Sequence, residues 1–330
     1  MRERIEDTLL ELIGIDSDNL ADKEAIVGFT TRWLEGLGME VGITGPGETP
    51  AIHARLGRGG IALSGHLDTV PVGDGWSVDQ GQKEGRRLFG RGTSDMKGAV
   101  AVALEAACTL VEEDVPFYVM LTTDEEEGML GALALTKVGL LEECGGVIIG
   151  EPTGMKVVSR EKGVCRLRLT TRGRAGHSSQ PWLGENAITK MRGTLDALGD
   201  LVVAPHSTTE ERTASVTTIK GGIKNNVIPE SCTAEIDIRF PPSESLDDIR
   251  ALVAERLEGK ECEVEATAEL ESFRTPETSG LLDEALRYLG TGTFPASFAT
   301  EAARFAAVNR EIVICGPGTV SYTHLTLPTN

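Results

Sequence analysis

The chain has 330 residues, a formal net charge of −19, 40% apolar and 25% charged residues, and a pI near 4.8. That length suits about two domains, and the composition is that of an ordinary globular protein. So acidic a chain argues against nucleic-acid and anionic-membrane partners, which need a basic face, and no apolar run approaches the roughly 20 residues of a membrane span.

In chain order, the opening MRERIEDTLLELIG is charged and amphipathic. It lacks the apolar core of a signal peptide, so a cytoplasmic location is expected. Residues 2–14 and 23–38 are predicted as helices, the second ending near Gly36-Leu37-Gly38. IALSG (61–65), FYVMLTT (117–123) and GGVIIG (145–150) read as buried strands. KGAVAVALEAACTLVEE (97–113) and GALALTKVG (131–139) read as the helices between them. Strands alternating with helices predict βαβ units and a mostly parallel sheet flanked by helices.

The pattern changes near residue 158. GVCRLRLTTRG (163–173), TASVTTIKGG (213–222), CTAEIDIRF (232–240) and ECEVEATAEL (261–270) alternate apolar and polar residues, as half-exposed antiparallel strands do. Helical stretches lie at 185–198 and 246–258. After about 270 the first pattern returns, with GLLDEALRYLG and then EIVICGPG. The expected fold is therefore α/β, residues 1–158 with 270–330, carrying an inserted α+β domain of four antiparallel strands and two helices at 159–269. The six cysteines, at 108, 144, 165, 232, 262 and 315, form no CxxC pair. Reduced and mostly buried thiols are expected rather than a disulfide framework or a thiolate zinc site.

The chemistry gathers where predicted strands end. IALSG runs into His66 and Asp68, FYVMLTT into Asp124-Glu125-Glu126-Glu127, and GGVIIG into Glu151. Asp95 sits in a Gly-rich turn before a helix, which it could simply cap. Ligands of open α/β sheets bind beyond the carboxyl ends of strands. Carboxylates crowded on one rim repel unless cations neutralise them. One histidine with several carboxylates suits zinc or a similar divalent ion, and so many acids suggest two ions. Of two adjacent glutamates, one can hold metal while the other moves a proton. Asp68 is placed to orient the His66 ring.

SGHLDTVPVGDGW, GRGTSDMKGAVA, TTDEEEGMLGA and IGEPTGMKVV together resemble the di-zinc aminoacylase and carboxypeptidase family, in order from about residue 5 to 318. The resemblance implies two zinc ions, with Co or Mn as substitutes. His66 would bind one ion, Asp68 would orient it, and Asp95 would bridge both. Glu125 would be the general base, Glu126 would bind one ion and Glu151 the other. GRAGHSSQP places a carbonyl-polarising histidine at His177. KNNVIPE and DIRF imply Asn226 and Arg239 as substrate contacts, and FATEAARF implies Thr300 and Glu301. The likeness is closest to the acetylornithine deacetylase branch, which acts in arginine biosynthesis. The implied substrate is a small N-acyl amino acid, and a homodimer through the inserted domain is implied. Succinyl-diaminopimelate desuccinylases, hydrolases releasing a carrier protein from lysine or ornithine precursors, and zinc dipeptidases or carboxypeptidases are the alternatives. So is a non-catalytic binding protein, against which the intact Glu125 argues.

The end of the chain departs from the family pattern. His324 falls where a metal-binding histidine is expected, but SYTHLTLPTN has neither the Pro-Asp-Glu context nor a following helix. Residues 320–330 are expected not to be native, in which case the natural protein is longer and His324 aligns by coincidence. His53, inside AIHARL, reads as structural, His206 as solvated, and Trp76 as packing near the site mouth.

Overall fold

Apolar residues at helical spacing set α1 (Arg2–Gly14), which buries Leu12 and Ile13, and α2 (Glu24–Gly36), which buries Ile26, Val27 and Leu34. A strand pair follows, β1 (Glu40–Thr44) and β2 (Ala51–Leu56). The apolar run at 61 becomes β3 (Ile61–His66), and the Ala-rich segment becomes α3 (Lys97–Glu112). Next come β4 (Phe117–Thr122), buried along its whole length, α4 (Leu130–Leu135), β5 (Gly146–Ile149) and β6 (Val157–Glu161). The alternating strands and their helices are β7 (Gly163–Arg172), α5 (Ala187–Leu198), β8 (Thr213–Gly221), β9 (Ser231–Phe240), α6 (Leu246–Arg256) and β10 (Cys262–Leu270). Last are β11 (Phe273–Arg274), α7 (Gly280–Leu289), β12 (Thr293–Ala296), α8 (Ala302–Phe305) and β13 (Ile312–Ile314).

The computed structural model describes residues 2–18, 23–85, 87–201 and 211–319. His206, His324 and the tail 320–330 lie outside the described residues. The chain divides into two compact units: the described residues within 1–159, 274–294 and 300–330, and those within 160–273 and 295–299. The first is built on a nine-stranded sheet of order β1-β2-β4-β3-β5-β13-β6-β11, with β12 beside β6. Its centre is parallel, from β4 through β3 and β5 to β13. The pairs β1–β2, β2–β4 and β13–β6 are antiparallel. One face carries a core of Leu12, Ile26 and Leu34 from the first two helices, Val100 and Leu104 from α3, and Phe117, Val119 and Leu121 from β4.

The second unit holds the antiparallel sheet β8-β9-β7-β10. β9 buries every second residue, so Ala234, Ile236, Ile238 and Phe240 meet Met191 of α5 and Ile249 and Val253 of α6. The Phe240 ring lies over Gly163, where a Cβ would come within 2.1 Å of it. The other face is charged, with Arg166 paired to Asp237 at 2.8 Å, Arg168 to Glu235 at 3.1 Å and Arg172 to Glu263 at 2.8 Å. The fold class is thus the one expected from sequence.

Element ends shift for local reasons. The helix expected from 185 begins at Ala187 because Asn186 caps it, its side chain accepting from the N–H groups of Ile188 and Thr189. The helix expected over 131–139 ends at Leu135, and Gly139 turns the chain with φ +88°. All six cysteines are free; Cys144, Cys165 and Cys232 are buried, and the other three are half-buried. His53 sits in β2 against Gly42, where its ring fills the space of a missing side chain, 2.3 Å from where a Cβ would be. Among the described residues no helix is long and apolar enough to cross a membrane.

Candidate active site

Three strand ends and one loop of the first unit converge on His66. It is the last residue of β3 and 1% exposed. Its Nδ1 lies 2.9 Å from the Asp68 backbone oxygen and 3.5 Å from the Asp68 carboxylate. A carbonyl can only accept, so Nδ1 carries a proton. Nε2 points the other way, 3.1 Å from Asp95 Oδ1 and 3.9 Å from Glu151 Oε1. Burial opposes a charged ring, but the hydrogen bonds to Asp68 and Asp95 and the charge of Glu151 outweigh it and raise the pKa well above the ordinary value.

Asp68 does more than orient the ring. It is 0% exposed, and its carboxylate accepts from the backbone N–H groups of Glu125 at 3.2 Å and Glu126 at 3.1 Å. Burial alone would raise its pKa; the His66 contact and those two N–H groups hold it below the ordinary value. Asp68 is itself flanked by clamps, since Ser17 Oγ donates to Leu67 O at 2.6 Å and Thr69 N donates to Ser17 O at 3.1 Å.

The run Asp124-Glu125-Glu126-Glu127 divides its work. Asp124 is buried, and its carboxylate accepts from Leu130 N and Gly131 N, while its backbone oxygen closes the turn to Met129. Arg304 Nη2 donates to Gly128 O at 3.3 Å from the other side. Glu125 and Glu126 are half-buried beside His66, and Glu127 is exposed. Burial and the Glu151 charge push the Glu125 carboxyl well above the usual range. Burial and the nearby Asp95 push Glu126 up as well, while His66 and Arg91 pull it down. Arg91 in turn lies over the Trp76 ring at 5.7 Å. Asp95 does not cap α3: the helix begins at Lys97, Met96 stands at the cap position, and no side chain caps it.

The donor set fits a metal. Glu151 Oε1 is buried with no hydrogen-bond partner among the described residues, an expensive state for a carboxylate oxygen. Ligating atoms of His66, Asp95 and Glu151 lie within 4.8 Å of one another, as do those of His66, Glu125 and Glu126. One imidazole nitrogen with carboxylate oxygens suits zinc or a similar divalent ion.

Glu301 and Thr300 are in the same unit and almost inaccessible, at 0% and 1% exposure. The Glu301 carboxylate accepts from Ser64 Oγ at 2.9 Å and from Thr122 Oγ1. Burial pushes its pKa up to about 7. Thr300 Oγ1 accepts from Ala302 N at 3.1 Å.

His177, Asn226 and Arg239 belong to the second unit. His177 is exposed on the two-residue strand Gly176–His177, which pairs with Val227–Ile228. Ser179 N donates to its Nδ1 at 3.2 Å, which leaves the Nε2 proton pointing outward as a donor. Asn226 accepts Ser178 N through its backbone oxygen, and its Oδ1 is buried without a partner among the described residues. Arg239 is bidentate to Asp237, at 2.6 and 3.0 Å.

Sequence reasoning missed Ser17, Ser64, Thr122 and Arg304, and did not separate Asp124 from its neighbours. Isolated hydroxyls carry no spacing signal. Only the position of Ser64 and Thr122 two residues before, or opposite, His66 on predicted strands could have pointed to them.

The sequence matches the family described as Peptidase family M20/M25/M40 over residues 62–326. The acetylornithine deacetylase of Klebsiella pneumoniae is 31% identical over 329 residues, covering 91% of this chain and 84% of that protein. A tripeptidase from Staphylococcus aureus superposes with a TM-score of 0.80 at 19% identity, covering 96% of this chain and 90% of its own. A Bacillus subtilis protein described as a dinuclear metal binding peptidase superposes at 0.67 with 16% identity, covering 99% and 92%. The chain therefore belongs to peptidase family M20/M25/M40 and is a metal-dependent hydrolase of amide bonds.

Proposed function

We propose that this chain is an N-acetylornithine deacetylase of arginine biosynthesis, hydrolysing the acetyl amide to acetate and a free amine. The observation that carries the reading past the family is the 31% identity, along 91% of the chain, to a protein named for that activity. Two divalent ions, zinc in this reading, would be held by His66, Asp95, Glu126 and Glu151 with Asp95 shared, and would supply Lewis acidity toward the amide carbonyl and toward water.

The protein's own groups do the rest. Asp68 fixes His66 on one side and the Glu125-Glu126 backbone on the other. Glu125, beside His66 and next to Glu126, takes a proton from the attacking water and delivers it to the nitrogen as the C–N bond breaks. The outward Nε2–H of His177 is assigned to the carbonyl oxygen as negative charge develops there. Arg239, braced by Asp237, is assigned to the substrate carboxylate, and Asn226 to its polar groups. Pairing of two copies is assigned to the second unit, where Trp182, Leu183 and Ile223 are exposed by 72, 56 and 91%.

Glu125→Gln should keep the bound metal and lose turnover by about 100-fold or more. Full activity in that variant would overturn Glu125 as the base. A panel of N-acetylornithine, N-succinyl-diaminopimelate, carrier-protein-linked lysine or ornithine, and dipeptides tests the substrate. Preference for a dipeptide would overturn the deacetylase reading and leave the hydrolase intact.

A further inference from the structure

We propose that Glu301 is a positioning residue for the metal centre: by gripping Ser64 and Thr122 it holds the ends of β3 and β4 together and fixes the projection of His66. Sequence reasoning expected this residue at the substrate. Its burial points elsewhere, since it is 0% exposed and both oxygens are engaged.

The register makes the case. β3 and β4 are parallel, with His66 opposite Thr122 and Ser64 opposite Met120. Side chains alternate along a strand and register partners share a face, so Ser64, His66 and Thr122 all project from the same side of the sheet. The two hydroxyls therefore bracket His66, one two residues earlier on its own strand and one directly across. A single carboxylate accepts from both, Oε2 from Ser64 and Oε1 from Thr122. The next backbone bond along, Leu67 N to Thr122 O at 2.8 Å, closes the same corner. Thr122 is also the last strand residue before the acid loop that carries Glu125 and Glu126. One buried group thus ties the strand that ends in His66 to the strand that leads into those glutamates. Such outer partners of metal ligands typically change affinity by about 10–100-fold when removed.

The proposal rests on reading His66, Asp95 and Glu151 as metal ligands, and its test separates the two. Zinc affinity of the full chain is measured by competition with a chromophoric chelator, alongside kcat and KM. Wild-type protein that binds no zinc would overturn the metal-site reading itself. Glu301→Ala should bind zinc about 10–100-fold more weakly and lose kcat, with KM little changed. Glu301→Gln should restore affinity to within about threefold, because an amide can accept from one hydroxyl and donate to the other. Unchanged affinity with a raised KM in Glu301→Ala would overturn the proposal in favour of a substrate contact. Equal loss in the Ala and Gln variants would overturn it in favour of charge alone. If Glu301→Ala does not fold, Thr122→Val carries the test: weaker zinc binding supports the proposal and unchanged binding overturns it.

Discussion

Asp68→Asn probes the centre of the site with almost no change in volume. The wild-type carboxylate accepts two backbone N–H groups, at 3.2 and 3.1 Å, and lies 3.5 Å from the His66 ring. An asparagine offers one oxygen and an NH₂ group. Whichever way the amide turns, one of the two N–H groups loses its acceptor and faces another donor. In a fully buried position that costs about 1–3 kcal/mol. A unit of this size should then melt about 2–10 °C lower in chelator. The loop bearing Glu125 and Glu126 is released at the same time, so zinc affinity should fall about 10–100-fold. The effect also has a pH signature. The Asp68 pKa is held below its ordinary 3.8, so its stabilisation is present above that value and disappears as pH falls through the folded-state pKa. The melting difference between wild type and variant should therefore be full at neutral pH and shrink in acid. A variant that melts and binds zinc like wild type would refute the idea that Asp68 sets the acid loop.

Other perturbations reach the same corner by different routes. Glu301 has its pKa pushed from 4.5 to about 7, so in chelator its contribution to stability is full below the lower value and is lost as pH rises through the upper one. At 1.36 kcal/mol per pH unit the loss is about 3 kcal/mol, and Glu301→Gln should lack it; parallel urea-unfolding stabilities of the two proteins across that range would refute the assignment. At Gly316 a Cβ would lie 2.0 Å from Gly150 O and 2.6 Å from Glu151 O, both backbone atoms. Gly316→Ala should cost about 3 kcal/mol and weaken zinc binding by shifting Glu151, whereas a wild-type denaturation midpoint would show that the segment yields freely.

The legibility of this chain follows from which forces leave a periodic trace. β9 buries every second residue and β4 buries all of its residues, so their patterns were readable as a half-exposed and a fully covered strand. The acids were readable by position, because strand ends are where an α/β sheet exposes chemistry. Within the Asp124–Glu127 run, composition could not say which carboxylate braces the turn and which face His66. That division depends on the N–H groups of Leu130 and Gly131, supplied by the next helix. Lys97 was equally opaque. A lysine in the first turn of a helix ordinarily reaches water, yet this one is buried and its Nζ donates to Leu12 O and Ile15 O at the end of α1. β1 was missed because its five residues are half-exposed with no clean alternation.

The two faces of β9 together constrain how the second unit can be threaded. If β9 slid by one residue along β7, Glu235, Asp237 and Arg239 would turn inward beneath α5 and α6, and Ala234, Ile236 and Ile238 would turn out to water. The same slip would separate Arg166 from Asp237 and Arg168 from Glu235. Exposed pairs of this kind add little to the stability of the correct sheet. Their weight falls on the incorrect ones, so an off-register pairing of β9 with β7 is penalised on both sides at once and has little chance of persisting as a kinetic trap.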